Sequence, residues 1–142
     1  MTSLVLKFKL LDNRAKLPSY SHKTDAGFDL FTPQKIVVKK RRFELISLGI
    51  ASEIPKNSYA QIFGKSGLSA KGLHLMGGVI DSGYRGEWKV IIANLGKKDY
   101  KFLSGDKVAQ GILLPARQAK IIEVKKLKDS DRGKNGFGST GK

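Results

Sequence analysis

The chain has 142 residues, enough for one domain that buries most of its unfolded surface without staples. It has no cysteine, which excludes disulfides, thiolate nucleophiles and cysteine-ligated metals, and it is ordinary in apolar content at 40%. Its charge is not ordinary: 27 Lys and Arg against 12 Asp and Glu give +15, a field that attracts polyanions such as nucleotides and nucleic acid.

In chain order, the first residues Met1–Leu10 alternate apolar Leu4, Leu6, Phe8 and Leu10 with residues that include Lys7 and Lys9, a half-buried strand pattern. The two lysines break any signal-peptide core, and no other apolar run is longer than a strand, so the sequence reads as soluble and intracellular, with no membrane partner. Further β-rich runs are expected over Lys35–Val38, Phe43–Ile50, Tyr59–Phe63, Trp88–Asn94, Val108–Leu114 and Ile121–Lys126. Pro18, Pro33, Pro55 and Pro115 stand where strands should end or turn. Ser66–Gly72 can hold a helical turn, and no long amphipathic helix is visible. Lys39-Lys-Arg-Arg42 resembles a nuclear or nucleic-acid patch, but its place between two strand patterns favours an exposed turn. After Asp129 the periodicity stops and Gly, Lys and Ser dominate, the composition of a flexible tail. Many short strands with regular turn signals predict an all-β domain: a sandwich, jelly roll or barrel.

Five segments combine Gly with ionisable or hydroxyl residues. In Asp25-Ala-Gly-Phe-Asp-Leu-Phe31, two carboxylates flank a bend, suited to a hard cation or its water shell, or to simple turn capping. Gly64-Lys-Ser-Gly-Leu-Ser-Ala-Lys-Gly72 can offer N–H groups, a cation and a hydroxyl to a phosphate; it is not a P-loop, because the required earlier glycine is Tyr59. Gly77-Gly-Val-Ile-Asp-Ser-Gly-Tyr-Arg-Gly-Glu-Trp88 reads as a hairpin whose turn carries Asp81 and Tyr84. Gly105-Asp-Lys-Val-Ala-Gln-Gly-Ile-Leu-Leu-Pro115 reads as a turn feeding a buried strand, interrupted by Gln110 and Gly111. Arg132-Gly-Lys-Asn-Gly-Phe-Gly-Ser-Thr-Gly141 joins an arginine that can grip phosphate with an aromatic that can stack on a base.

In this order and at these spacings, from about Asp25 to Thr140, the segments resemble the five motifs of the trimeric dUTPases. The resemblance implies a distorted jelly-roll, β-barrel-like single domain over 1–128, with a flexible C-terminal strap, 129–142, that closes over the active site. It implies that dUTP is hydrolysed to dUMP and pyrophosphate with Mg²⁺ as cofactor, in a cytoplasmic homotrimer with shared active sites. Asp81 would be the general base toward water. Tyr84 would lie under the deoxyribose. The backbone of Gly78, Val79, Ile80 and Asp81, and of Lys89 across the hairpin, would read uracil. Asp29 would hold Mg²⁺ through water. Lys65, Ser66 and Gly67 would face the phosphates, and Gln110 the phosphates or the nucleophilic water. Arg132, Gly138, Ser139 and Thr140 would clamp the γ-phosphate while Phe137 stacks on the base.

The second motif commonly has Arg where this chain has Lys65, which keeps the charge but loses the bidentate fork. Gly83 stands where many relatives carry Asp. Gly111 stands for a large apolar residue and predicts a locally loosened strand. Two other readings stay open: a dCTP deaminase-like enzyme of the same fold, although the deaminase glutamate is not in place, and a non-catalytic nucleotide- or nucleic-acid-binding relative.

Overall fold

The structure is a computed structural model that describes residues 4–137. Eleven strands and one helical turn follow in the order β1 (Lys7–Leu10), β2 (Phe28–Phe31), β3 (Ile36–Val38), β4 (Phe43–Ser47), β5 (Ile50–Glu53), β6 (Ser58–Phe63), α1 (Ser66–Ser69), β7 (Leu73–Met76), β8 (Val79–Asp81), β9 (Lys89–Asn94), β10 (Tyr100–Phe102) and β11 (Lys107–Pro115). All ladders are antiparallel. They form a four-stranded sheet, β2-β11-β6-β8, a three-stranded sheet, β4-β9-β7, and two ribbons, β1-β5 and β10-β3. This is a jelly-roll arrangement of open sheets, without a closed barrel. No helix among the described residues is long and apolar enough to cross a membrane.

Inward residues from β2 through β11 make the core, which includes Leu30, Ile46, Ile62, Val90, Ile92, Phe102 and Val108, together with Trp88 just before β9. Alternation along β6 and β9 gives one buried and one wetter face, as period-two patterning requires. Trp88 is fully buried, its ring edge-on to Phe8 at 5.3 Å and its indole N–H donating to Ser52 Oγ at 3.0 Å.

Four expectations are corrected. The single run Phe43–Ile50 is two strands. Gly49, at φ 67°, bends the chain so that β4 stays beside β9 while β5 leaves to pair with β1. A side chain at Gly49 would also meet Ala15 Cβ at 2.9 Å, so the bend needs glycine. The run Ile121–Lys126 is not a strand: its residues are exposed and it has no ladder partner among the described residues. The segment Gly77–Trp88 is not a hairpin. Its strand β8 pairs with β6, whereas β9 lies between β4 and β7, and burial of Trp88 carries the chain from one sheet to the other.

Gly111 does not loosen β11. It is laddered on both sides, to Phe28 and to Ile62, and the space of its missing side chain is filled by the Phe28 ring.

Candidate active site

The ladder of β2 with β11 sets Asp29 opposite Gln110, and β11 in turn sets Gln110 opposite Phe63 at the end of β6. The chain leaves β6 through Gly64 and Lys65 into α1, so Lys65 arrives over the same end of the sheet. Asp29 is buried at 4% exposure, and both its carboxylate oxygens are engaged. Lys65 Nζ donates to Oδ1 at 2.5 Å, while Lys107 Nζ and Ser21 Oγ each lie 2.7 Å from Oδ2. Burial pushes the Asp29 pKa up, but hydrogen bonds from Lys107, Lys65 and Ser21 outweigh it and bring it down to about 2. A buried anion is thereby held charged and rigid between two cations.

Gln110 donates from Nε2 to the Gly64 carbonyl at 2.9 Å, which ties the loop before Lys65 to β11. Gly27 is needed there, because a Cβ on it would stand 2.5 Å from Gln110 Oε1. In α1 the Lys65 carbonyl accepts from Leu68 and Ser69, which leaves the N–H groups of Ser66 and Gly67 without an intrahelical acceptor and able to face an anion.

Asp81 ends β8, exposed and without a side-chain partner among the described residues. The turn beyond it is tightly specified. Tyr84 N–H donates to the Asp81 carbonyl at 3.1 Å, and Tyr84 Oη donates to the Glu87 carbonyl at 3.0 Å. Any side chain at Gly86 would collide with that phenol. Arg85 donates to the Ser82 carbonyl at 2.7 Å, and Glu87 accepts from Gly49 N–H at 3.0 Å. Upstream, Gly78, at φ 123°, gives its carbonyl to Ile62 N–H at 2.7 Å and has no room for a Cβ beside Ile62. Ile80 is turned into the core and Val79 is exposed, so a ligand at this strand meets main chain and Val79. Lys89 is exposed on β9, laddered to Ser47. An open cleft of about 680 Å³ lies beside the Asp81 turn, lined by Ser82, Asn57, Ser58 and Arg117 among others.

Arg132 makes a local turn with Asn135, accepting its N–H at 3.2 Å and donating from Nε to its carbonyl at 2.9 Å. Phe137 is fully exposed. Gly138, Ser139 and Thr140 lie outside the described residues.

One chain does not bring these groups together. Asp29 and Asp81 lie on the two edge strands of one sheet and four residues apart in register. Three strand spacings of about 4.8 Å across and four rises of about 3.3 Å along separate them by roughly 20 Å. Each chain carries one half-site that can hold phosphate and another that presents a carboxylate beside an aromatic. Lys107 and Ser21 had no role in the sequence reading. The signal for Lys107 was its alternation with Val108 next to the Gln110 motif; Ser21 had none.

The described residues contain no group of three or more Asp, Glu or His that could ligate a metal. Among them Asp29, the buried carboxylate, has one donor on Oδ1 and two on Oδ2, which leaves room for a further donor such as a water but does not make a resident metal site. It suits a metal that comes bound to a phosphorylated substrate.

The fold defines an all-β protein of jelly-roll type, and the cation-bound Asp29 cluster and the Asp81 turn are its two clusters of polar, chemistry-bearing side chains. Comparison with known proteins narrows the class. The dUTPase family model matches residues 13–141. The deoxyuridine 5'-triphosphate nucleotidohydrolase of Clostridium tetani is 46% identical, covering 100% of both chains. That of Clostridium acetobutylicum is 45% identical over 96% of each. Among solved structures, a Staphylococcus bacteriophage 80alpha dUTPase with dUPNHPP superposes with a TM-score of 0.91, 28% identity and coverage of 96% of this chain and 98% of that one. A dUTPase mutant of phage phi11, whose structure describes a structural Mg(II) ion, superposes at 0.80 with 26% identity over 86% of this chain and 97% of the other. The chain belongs to the dUTPase family.

Proposed function

We propose that this protein hydrolyses dUTP to dUMP and pyrophosphate, with Mg²⁺ entering on the triphosphate, in a homotrimer that joins the two half-sites across subunit boundaries. The observation that carries the reading is Asp81, an unpaired, exposed carboxylate at the end of a strand, locked in place by the Tyr84 turn. Asp81 takes a proton from water as the water oxygen attacks the α-phosphorus. The α–β anhydride bond breaks, and pyrophosphate leaves with the electron pair. Tyr84 sits against the sugar, where a 2′-hydroxyl has no room. The main chain of Gly78 to Asp81 reads the uracil edge, with Lys89 nearby.

Lys65, the N–H groups of Ser66 and Gly67, and Gln110 face the phosphates, where preformed cations and donors stabilise developing negative charge. Asp29, kept charged by Lys107, is the residue that would hold a metal arriving on the triphosphate, through water, and the metal would there offset phosphate charge. Arg132, Phe137, Gly138, Ser139 and Thr140, on the 129–142 strap, close over the bound nucleotide.

Trimer formation is supported by the outer face of β4-β9-β7. There Phe43 is 64% exposed, Leu45 56% and Met76 42%, a contiguous apolar surface unusual on a monomer. The expected compartment is the cytoplasm.

The test is turnover of dUTP, dCTP, dTTP and UTP with Mg²⁺ by the wild type and by Asp81→Asn. The expected outcome is pyrophosphate release from dUTP alone, lost about 100- to 10,000-fold in the variant with dUTP binding kept. Deamination of dCTP, or near-normal turnover by Asp81→Asn, would overturn the reading.

A further inference from the structure

The excess positive charge is not spread evenly over the fold. Three connections carry basic residues to one end of it: the β3–β4 turn, Lys39–Arg42; the β9–β10 loop, with Lys97 and Lys98; and Lys71, just before β7. All seven are exposed. The described residues make four ion pairs, and none includes any of the seven. A cleft of about 550 Å³ is lined by Lys40, Arg41, Arg42 and Lys97 alone. One acid, Asp99, stands beside Lys71, Lys97 and Lys98; its Oδ1 accepts from the Lys40 backbone N–H at 2.9 Å, and it is in none of the four ion pairs.

The loops that carry these cations are pinned. Asn94, 1% exposed, donates from Nδ2 to the carbonyls of Val38 and Lys98 at 2.9 and 2.8 Å and accepts from Gly96 N–H at 2.9 Å. Its backbone accepts from Arg41 N–H and donates to the Arg42 carbonyl, both at 2.8 Å. Leu95 N–H donates to the Gly72 carbonyl at 2.8 Å, and Gly72 approaches Gly96 so closely that a Cβ would meet its nitrogen at 2.9 Å. Asn94 thus fastens the β3–β4 turn to the β9–β10 loop, and the Leu95–Gly72 backbone bond adds the segment before β7. Arg41 is held at φ 58°, a left-handed conformation that costs a non-glycine residue about 1 kcal/mol or more. Unpaired like charges so gathered repel one another and destabilise the fold. A solubilising surface does not need them fixed.

We propose that this end of the molecule is a second binding surface, which takes the phosphodiester backbone of duplex DNA without regard to sequence. Several fixed cations with no counter-ion fit a chain of regularly spaced phosphates better than a single nucleotide, and releasing the condensed counter-ions of DNA supplies the affinity. Base reading would need an amide or guanidinium fork held in one orientation into a groove. The amide here, Asn94, is buried and fully used, and the exposed guanidinium groups of Arg41 and Arg42 have no side-chain partner among the described residues that would aim them. Stacking of unpaired bases would need an open ring, but Tyr100 is covered by Lys71 Nζ, 5.6 Å from its centroid, and the exposed Phe43 belongs to the apolar face of β4-β9-β7 proposed above for trimer contact. The surface does not include Asp81, Tyr84 or the Asp29 cluster, so DNA binding and turnover separate in a test.

The full-length protein is titrated against a fluorescein-labelled duplex of mixed sequence, read by anisotropy at several salt concentrations. The variants are Lys40→Glu/Arg42→Glu/Lys97→Glu and a control with equal charge change, Lys120→Glu/Lys125→Glu/Lys126→Glu. At low salt the wild type binds in the micromolar range, and the first variant is weakened about 100-fold, with the slope of log affinity against log salt reduced by about 3. The control stays within about threefold, and dUTP turnover is unchanged in both. The neutral variant Lys40→Gln/Arg42→Gln/Lys97→Gln gives an intermediate loss and guards against misfolding by charge reversal. Equal weakening in the control, no wild-type binding at low salt, or binding to phosphatidylglycerol vesicles but not to DNA would each overturn the proposal.

Discussion

Gly111 offers the sharpest test of how the phosphate half-site is held. A Cβ built at this position stands 2.3 Å from Phe28 Cε2 and 2.5 Å from Cζ, far inside contact distance. The ring cannot step aside freely. Phe28 is 3% exposed and is boxed by Tyr20 at 5.8 Å, Phe8 at 6.2 Å and Trp88 at 6.4 Å between centroids. Gly111→Ala therefore overpacks an aromatic cluster rather than filling a gap, at a cost of about 1–3 kcal/mol. For a chain of this size that lowers Tm by roughly 3–10 °C. Phe28→Leu/Gly111→Ala frees the space, so the two changes together cost less than the sum of each alone, by about 1 kcal/mol or more in a double-mutant cycle. The assay is urea unfolding at fixed protein concentration, followed by the emission of Trp88, the single tryptophan, which is fully buried against the same cluster. Because Gln110 is the adjacent residue and tethers Gly64, turnover should fall with stability. A Gly111→Ala protein as stable as the wild type, or a cycle with no coupling, would refute the packing argument.

Acid should dissect the Asp29 network. Its pKa is lowered from 3.8 to about 2, so its stabilisation is complete above the ordinary value and is lost as pH falls through about 2. Asp29→Asn should cost about 1–2 kcal/mol near pH 7, discounted because Lys107 is half in water, and the gap in urea midpoint should close between pH 4 and 2; a pH-independent gap would assign the cost to packing instead. Removal of Arg132–Lys142 should leave the urea midpoint unchanged, since residues 117–135 are exposed, but reduce dUTP turnover at least 100-fold; normal turnover would exclude a closing strap. Lys65→Ala and Asp81→Asn chains, each nearly inactive, should recover about a quarter of wild-type activity when co-refolded one to one, because a shared trimer site draws the two residues from different subunits. No recovery would place both half-sites of a working site in one chain.

Much of this protein is legible along the chain. The five motifs name Asp29, Lys65, Asp81, Tyr84 and Gln110 because their chemistry is local: glycine where the backbone turns sharply, with a charged or polar side chain beside it. The six-residue strands β6 and β9 alternate in burial with period two, and β11 is legible as an apolar run that ends at Pro115. Strands β2, β7 and β10, with three or four residues each, do not, since so short a segment is a strand only by virtue of its partner. The same reason removes Ile121–Lys126, which has strand composition but no neighbour among the described residues to ladder with.

The amino-acid sequence by itself determined the class of fold, the residue types at the site and the positions where only glycine serves. The tertiary structure alone decided which of those residues meet. Lys107 reaches Ser21 and Asp29 through the β2–β11 ladder, and Asn94 gathers loops that begin at Val38 and end at Lys98. The same ladders hold Asp81 and Asp29 on opposite edges of one sheet. Such pairings span dozens of residues, and nothing in a local pattern encodes them. They are fixed by the joint burial of both sheets' apolar faces, a property of the whole chain.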